Sequence, residues 1–452
     1  MTFVEVERIT MKTLWILGEE QISTDILNLI HWVCNGKVEI GEVNYELTVI
    51  DNKIFFKISG VQSQEYSEFY YGLVSRSGNG FVDFLFYEGD QPPLENSIPI
   101  AAAEATKSNG RESGNMNSQR APKKISILEK WGNIPFAYLI ANSLDISKTL
   151  KSFSHTHKCD FATMSYFGAD ILIAKINELG YEKYENPVEF KTIEDVCEYE
   201  GLKRVLSGRI PSQVSCGDNV ITISGNLYKT TGNNDPGEGY VASRAYLCRL
   251  LSPDSEIRIV NHQRTQKYFE KKDNKLINVL KIVGVTVVFP DGETLVIEKQ
   301  PGLYNKDYWQ YSNKGEKISS IVMENYYTNR GWEVLFTNHA GCGKSYVNIG
   351  EEYFKTEKSK GLPDLVLYNQ SQNLLYVIEA EQSKNYKKGL VQVKDIAFSQ
   401  FIAREILPHL PSDVKVEKYL CTYGKYNQEP KVIFNLTEDF QINYNEYAEE
   451  IV

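Results

Sequence analysis

The clearest pattern along the chain is a pair of apolar runs, Leu365-Val-Leu-Tyr368 and Leu374-Leu-Tyr-Val-Ile378, separated by the polar segment Asn369-Gln-Ser-Gln-Asn373. Two runs of that length around a polar turn predict a β-hairpin. Pro363-Asp364 opens the first run and Glu379-Ala-Glu381 closes the second. Residues two apart on a strand share a face, so the hairpin should hold Asp364 near Glu379 and Glu381. Around it, the spacing predicts a helix over Ile318–Arg330 ended by Gly331, and a short strand Trp332–Phe336 that leads into loop. An amphipathic helix Asp395–Leu407 should stop before Pro408, and strands Tyr419–Tyr423 and Lys431–Leu436 should close the sheet. This order is mixed α/β.

Earlier in the chain, the pattern predicts a helix at Thr24–Cys34, strands at Tyr45–Ile50 and Lys53–Ile58, and a helix around Gln64–Leu73. Strands Phe81–Tyr87 and Ile98–Ala105 follow. Residues 160–200 read as α/β, and 201–300 as richer in strands, at Asn219–Ser224, Glu256–Val260 and Val285–Phe289. The Gly/Pro/Asn-rich stretch 301–315 is the best boundary. The expected organisation is an N-terminal domain over 1–200, a strand-rich segment over 201–305 suited to DNA recognition, and a C-terminal domain over 306–452.

Three acids converging on one spot repel each other unless a cation joins them, and hard oxygen ligands suit magnesium. Glu324, in the helix before the hairpin, would add a fourth acid. Magnesium so held activates water and stabilises the charge that develops on a phosphodiester, so the residues point to a metal-dependent nuclease.

Composition limits this picture without changing it. With 42% hydrophobic and 24% charged residues, the 452-residue chain is ordinary globular material with room for two or three domains. A net charge of −10 argues against indiscriminate coating of nucleic acid but not against a cleft. Basic residues gather at Lys107, Arg111, Arg120, Lys123, Lys124 and Lys130, and again between Arg258 and Lys275; the simple account of either run is a solvated charged face. No apolar run approaches the roughly 20 residues of a membrane span. The first eight residues carry acids where a leader would carry bases. A cytoplasmic protein is expected, with its seven scattered cysteines reduced and serving as packing residues.

Pro363-Asp364, the turn and Glu379-Ala-Glu381 resemble the PD-(D/E)XK nuclease superfamily, and the wider Gly361–Tyr368 and Val377–Ala380 segments look like the catalytic region of PstI-type restriction endonucleases. The likeness covers roughly residues 310–430. It implies a mixed central sheet flanked by helices, magnesium-dependent cleavage of duplex DNA, and Asp364 with Glu379 as metal ligands. Glu381 stands where the family usually has lysine. Some members carry a carboxylate there, and Lys384 or Lys387 would then supply the positive charge.

The pattern recurs. Asp83-Phe-Leu-Phe-Tyr87 repeats Asp364-Leu-Val-Leu-Tyr368, and Glu104-Ala-Thr-Lys-Ser108 echoes Glu379-Ala-Glu-Gln-Ser383, which predicts two copies of one scaffold. Glu104-Ala-Thr-Lys107, Glu112-Ser-Gly-Asn115 and Gln119-Arg120-Ala-Pro-Lys123 also look like a group of type II restriction endonucleases with a Glu-Glu-Thr-Lys core followed by Ser-Arg-Asn and Gln-Arg-x-x-Lys. Ala105 replaces a glutamate of that pattern and Gly114 an arginine. The resemblance implies Asp83 and Glu104 as metal ligands, with Lys107 polarising water or phosphate. The alternative for this copy is an inactive site kept for DNA grip. Base and backbone contacts would fall to Gln119, Arg120, Lys123, Arg244, Gln263, Arg264 and Lys384.

The expected partner is double-stranded DNA, with a cognate DNA methyltransferase as genetic partner and a homodimer as one way to cut both strands. Competing classes are a non-catalytic DNA-binding protein built on decayed nuclease domains and a nuclease acting on RNA or on modified or structured DNA. Gly341-Cys-Gly-Lys-Ser345 lacks the first glycine of a phosphate loop, since Asn338 stands there. His155-Thr-His157-Lys-Cys159 lacks a complementary pair of zinc ligands. Gly225–Gly239 is more simply a pair of turns than a cofactor cradle.

Overall fold

The computed structural model describes residues 12–18, 24–76, 82–106, 114–140, 146–175, 179–201, 213–225, 236–261, 275–305, 308–311, 315–338, 346–349, 352–355, 362–425 and 429–444. It is mixed α/β, with mixed sheets flanked by helices. Two compact units emerge: one from residues 1–22, 39–75 and 311–452, the other from 23–38 and 76–310. These limits differ from the expected division at 200 and 305, because each unit collects segments distant in sequence. Among the described residues, no helix is long and apolar enough to cross a membrane.

In the second unit, strands Phe84–Glu88, Ala101–Thr106, Phe136–Ile140, Ala169–Ala174 and Tyr181–Lys183 lie side by side in that order. The successive pairings are antiparallel, parallel, parallel and antiparallel. Helix Gly114–Trp131 makes the first parallel crossover, and helices Ile146–Ser152 and His155–Tyr166 make the second. The central Phe136-Ala-Tyr-Leu-Ile140 is buried throughout, as a parallel strand covered on both faces must be.

A second sheet in this unit, Gln213–Gly217, Val220–Gly225, Glu256–Asn261, Val285–Val288 and Thr294–Ile297, repeats the same sequence of pairings. Helix Pro236–Leu251 is its first crossover and packs against helix Gly114–Trp131, where Tyr246 donates to Glu129 Oε1 at 2.7 Å. The expectation of two copies plus a β-rich segment therefore understates the architecture, since that segment has the same sheet plan.

In the first unit, strands run Glu352–Lys355, Tyr346–Ile349, Glu333–Thr337, Leu365–Asn369, Leu374–Gln382, Lys415–Tyr423, Val432–Leu436 and Ile442–Tyr444. From Leu365 onward the pairings are again antiparallel, parallel, parallel and antiparallel. One face carries Val366, Leu375, Val377, Phe398, Phe401, Ile402 and Ile406, all buried. On the other, Tyr327 of helix Glu316–Thr328 meets Trp332 and Tyr376 at ring separations of 5.1 and 5.9 Å.

Several local expectations are corrected. Gln64–Leu73 is not helical: Tyr66–Arg76 is a strand, parallel to Lys12–Gly18 and antiparallel to Lys53–Ser63. Its aromatic run buries Tyr66, Phe69, Tyr70 and Tyr71 on both faces, which suits a central strand. Gly72 is required there, because a Cβ would lie 2.8 Å from Phe55 and 2.9 Å from Leu17. The single helix Asp395–Leu407 is instead Ile396–Phe401, capped by Asp395, followed by a π-type turn, with a separate helix Tyr386–Val393 before it. The strand Glu333–Thr337 is joined by a further hairpin, Tyr346–Ile349 with Glu352–Lys355, that the loop expectation omitted.

The cysteines are not all thiols. Cys197 and Cys216 form a disulfide between helix Ile193–Gly201 and strand Gln213–Gly217, with Cα atoms 6.3 Å apart. Cys34, Cys159, Cys248 and Cys421 are buried and outside any disulfide, as packing residues should be.

Candidate active site

The C-terminal hairpin forms because its turn satisfies itself. Asn369 Oδ1 accepts from Ser371 Oγ at 2.7 Å and from the Gln372 N–H at 3.1 Å, while Asn373 takes the left-handed conformation that asparagine tolerates. The register pairs Leu365 with Ile378 and Val366 with Val377, so Asp364 falls opposite Glu379 at the open end. There the Asp364 carboxylate replaces a backbone rung, accepting the Ala380 N–H on Oδ2 at 2.8 Å.

Glu379 and Glu381 share the face turned to helix Tyr386–Val393. Gln392 Nε2 donates to Glu379 Oε1 at 2.6 Å, and Lys388 Nζ meets Glu381 Oε1 at 2.5 Å. Four residues of helix rise about 6 Å and two of strand about 6.8 Å, so the pairs Lys388/Gln392 and Glu381/Glu379 are in step. Gly389 permits this approach: a Cβ would sit 3.0 Å from Glu381 Cγ and 2.8 Å from Leu420. Glu381 is 1% exposed, and its Oε2 is buried with no hydrogen-bond partner. Burial pushes the Cys421 thiol far up, and the charges of Asp364 and Glu379 add to the effect, so both carboxylates lie within electrostatic reach of that sulfur.

The predicted convergence of acids is only partly realised. Among the described residues, no group of three or more His, Cys, Asp or Glu is gathered as a metal-holding cluster. Asp364 and Glu379 are paired across the strands, whereas Glu381 is engaged by Lys388. Glu324 is buried on helix Glu316–Thr328 and is not brought into a cluster with the hairpin acids. The cation that meets Glu381 is Lys388, not Lys384 or Lys387, although all three are exposed. Sequence reading missed both Lys388 and Gln392, although their one-turn spacing matches Glu381 and Glu379.

The N-terminal hairpin repeats this geometry. Phe84 pairs with Ala103, so Asp83 faces Glu104, and Asp83 Oδ2 accepts the Ala105 N–H at 2.9 Å. The crossover helix delivers two cations. Lys123 Nζ lies 3.2 Å from Asp83 Oδ1 and 2.6 and 2.7 Å from the Glu104 oxygens, while Arg120 also pairs with Glu104 Oε1. Burial alone would raise Asp83, but Lys123, Arg120 and the Ala105 N–H hold it below the usual carboxylate range. Glu104, 0% exposed, is raised by burial against the pull of Arg120.

Other predicted residues separate. Arg244 is fully buried: Nε bonds Glu200 at 2.7 Å and Nη2 bonds Asp160 at 2.8 Å, so it belongs to the interior of its unit and cannot read bases. Arg120 and Lys123 are turned to the acid pair. Lys107, Gln263, Arg264, the Gln119 side chain and the 341–345 loop lie outside the described residues. His157 closes a capping box with Ser154 and His155 stacks on Tyr199, which explains both histidines without zinc.

No protein-family model, no curated protein and no solved structure matches this chain.

Proposed function

We propose that this protein is a type II restriction endonuclease, hydrolysing phosphodiester bonds at a specific double-stranded DNA sequence with magnesium, and that the Asp364–Glu379 hairpin is its cleavage site. The observation that carries this reading is the recurrence of one unusual local geometry. In two sheets with the same pairing order, an Asp at the start of one strand faces a Glu on the next and accepts the N–H of the residue after that Glu. A solvent-facing hairpin with chance acids has no reason to repeat this.

The donor set fits magnesium, which uses one or two carboxylates and completes its shell with water and substrate phosphate. Asp364 and Glu379 would hold it, and the buried, unbonded Glu381 Oε2 offers a further acceptor beside them. When bound, the ion supplies an activated water and stabilises charge on the phosphate. Gln392 fixes the rotamer of Glu379 through one oxygen, as the outer partner of a ligand does. Lys388, 68% exposed along its side chain, keeps a positive charge at the mouth of the site while it anchors Glu381. Lys387 on the same helix and Lys384 in the short turn Ser383–Asn385 before it add exposed positive charge, suited to a DNA phosphate backbone. One such site cuts one strand, so a double-strand break requires a dimer or a second encounter.

The test is incubation of plasmid and phage DNA with the full chain and magnesium, beside Asp364→Asn and Asp83→Asn variants. Discrete fragments that vanish with EDTA and with Asp364→Asn are expected. Absence of cleavage on every unmodified and methylated DNA tried would leave a DNA-binding protein on a decayed nuclease scaffold.

A further inference from the structure

We infer that the chain has one divalent-cation site rather than two, and that the Asp83–Glu104 pair is a closed clasp in which Lys123 takes the place of a metal. The inference rests on the nuclease reading of the C-terminal hairpin and limits it to that hairpin. All four oxygens of the N-terminal pair already have donors. Asp83 Oδ1 takes Lys123 and Oδ2 takes the Ala105 N–H; Glu104 Oε1 takes Lys123 and Arg120, and Oε2 takes Lys123 and the Asp83 N–H. Two carboxylates meet two permanent cations, and the Lys123 ammonium sits between the two acids where a bridging ion would lie.

The C-terminal hairpin shares the backbone contact to its aspartate but differs in what meets its glutamates. Its crossover helix presents the neutral Gln392 amide to Glu379 where the other copy presents Lys123 and Arg120 to Glu104. Two residues after the strand glutamate it has Glu381, with a buried oxygen that makes no hydrogen bond, where the N-terminal copy has Thr106. The third sheet of this plan goes further, since Gln213–Gly217 and Val220–Gly225 contain no acid at all. The same pairing order therefore forms without an acid pair. In the N-terminal copy the acids remain because they tie helix Gly114–Trp131 to the hairpin.

Electron paramagnetic resonance of Mn2+ titrated into the full-length protein, with Mg2+ as competitor, decides the matter. One competed ion per chain is expected, lost in Asp364→Asn and kept in Asp83→Asn and Lys123→Met, with the last two lowering the thermal midpoint. Two ions per chain, or one that disappears with Asp83→Asn and survives Asp364→Asn, overturns the inference while leaving a metal nuclease in place. No competed ion in the wild type overturns both this inference and the nuclease reading. If Asp83→Asn or Lys123→Met does not fold, the wild-type stoichiometry and the Asp364→Asn variant decide alone.

Discussion

Gln392 donates to Glu379 at 2.6 Å from a helix that follows the strand by only a few residues. A buried carboxylate whose rotamer is fixed by a neighbouring amide is how a ligand is held ready for its ion. Gln392→Ala should therefore weaken metal binding by about 10- to 100-fold, the usual cost of losing an outer partner. Competition titration with Mn2+ measures it, and an unchanged affinity would show that Glu379 needs no such support.

Lys388 is expected to matter through charge rather than packing, because most of its side chain is exposed while Glu381 is buried. Lys388→Met should lower DNA cleavage by about 100-fold or more with circular dichroism unchanged, and Lys388→Arg should recover part of the loss. Equal activity in the Met variant would remove Lys388 from the site.

Arg244 bonds Asp160 and Glu200 with no solvent exposure, and Tyr240 donates to Glu200 at 3.0 Å. Removing one member of such a network leaves uncompensated buried charge. Arg244→Met should cost about 3–5 kcal/mol and lower the melting midpoint on the order of 10 °C. Replacing all three charged groups by apolar ones should recover most of that. DNA sequence preference should not change in the surviving folded fraction.

Lys124 gives a pH signature. Its side chain is fully buried, donating to the Ile134 carbonyl at 3.2 Å, and burial lowers its pKa to about 8. The folded state thus releases this proton before the unfolded state does, so between about pH 8 and the unfolded value near 10.4 the unfolded chain binds more protons. This group's contribution rises with pH in that window, by up to about 1.4 kcal/mol per unit. Urea melts across the window should show the slope in the wild type and a flatter one in Lys124→Met.

The hairpins and their acid pairs were legible because they are local. Asp364 and Glu379 are joined by one turn, and strand periodicity alone sets their faces. The strand Tyr66–Arg76 was not legible, because what makes it a strand is Leu14 pairing with Phe69 and Phe56 with Tyr71, contacts that a local window does not contain. Lys388 was missed for a related reason. Among Lys384, Lys387 and Lys388, only the helix start at Tyr386 decides which ammonium faces Glu381. The likeness of the third sheet lies in its pairing order and leaves no residue pattern to find, since the strands of its hairpin have no acids.

The interrupted course of the chain through the first unit bears on how the protein can be made. Strands Lys12–Gly18, Val38–Ile50, Lys53–Ser63 and Tyr66–Arg76 leave the ribosome early, yet the remainder of their unit begins only at residue 311. The second unit, complete by residue 310, can finish folding while the first still waits. A nascent chain stalled between the two would hold its acid clasp but not the hairpin proposed to cut, so synthesis itself would delay the proposed cleavage site until its strands emerge.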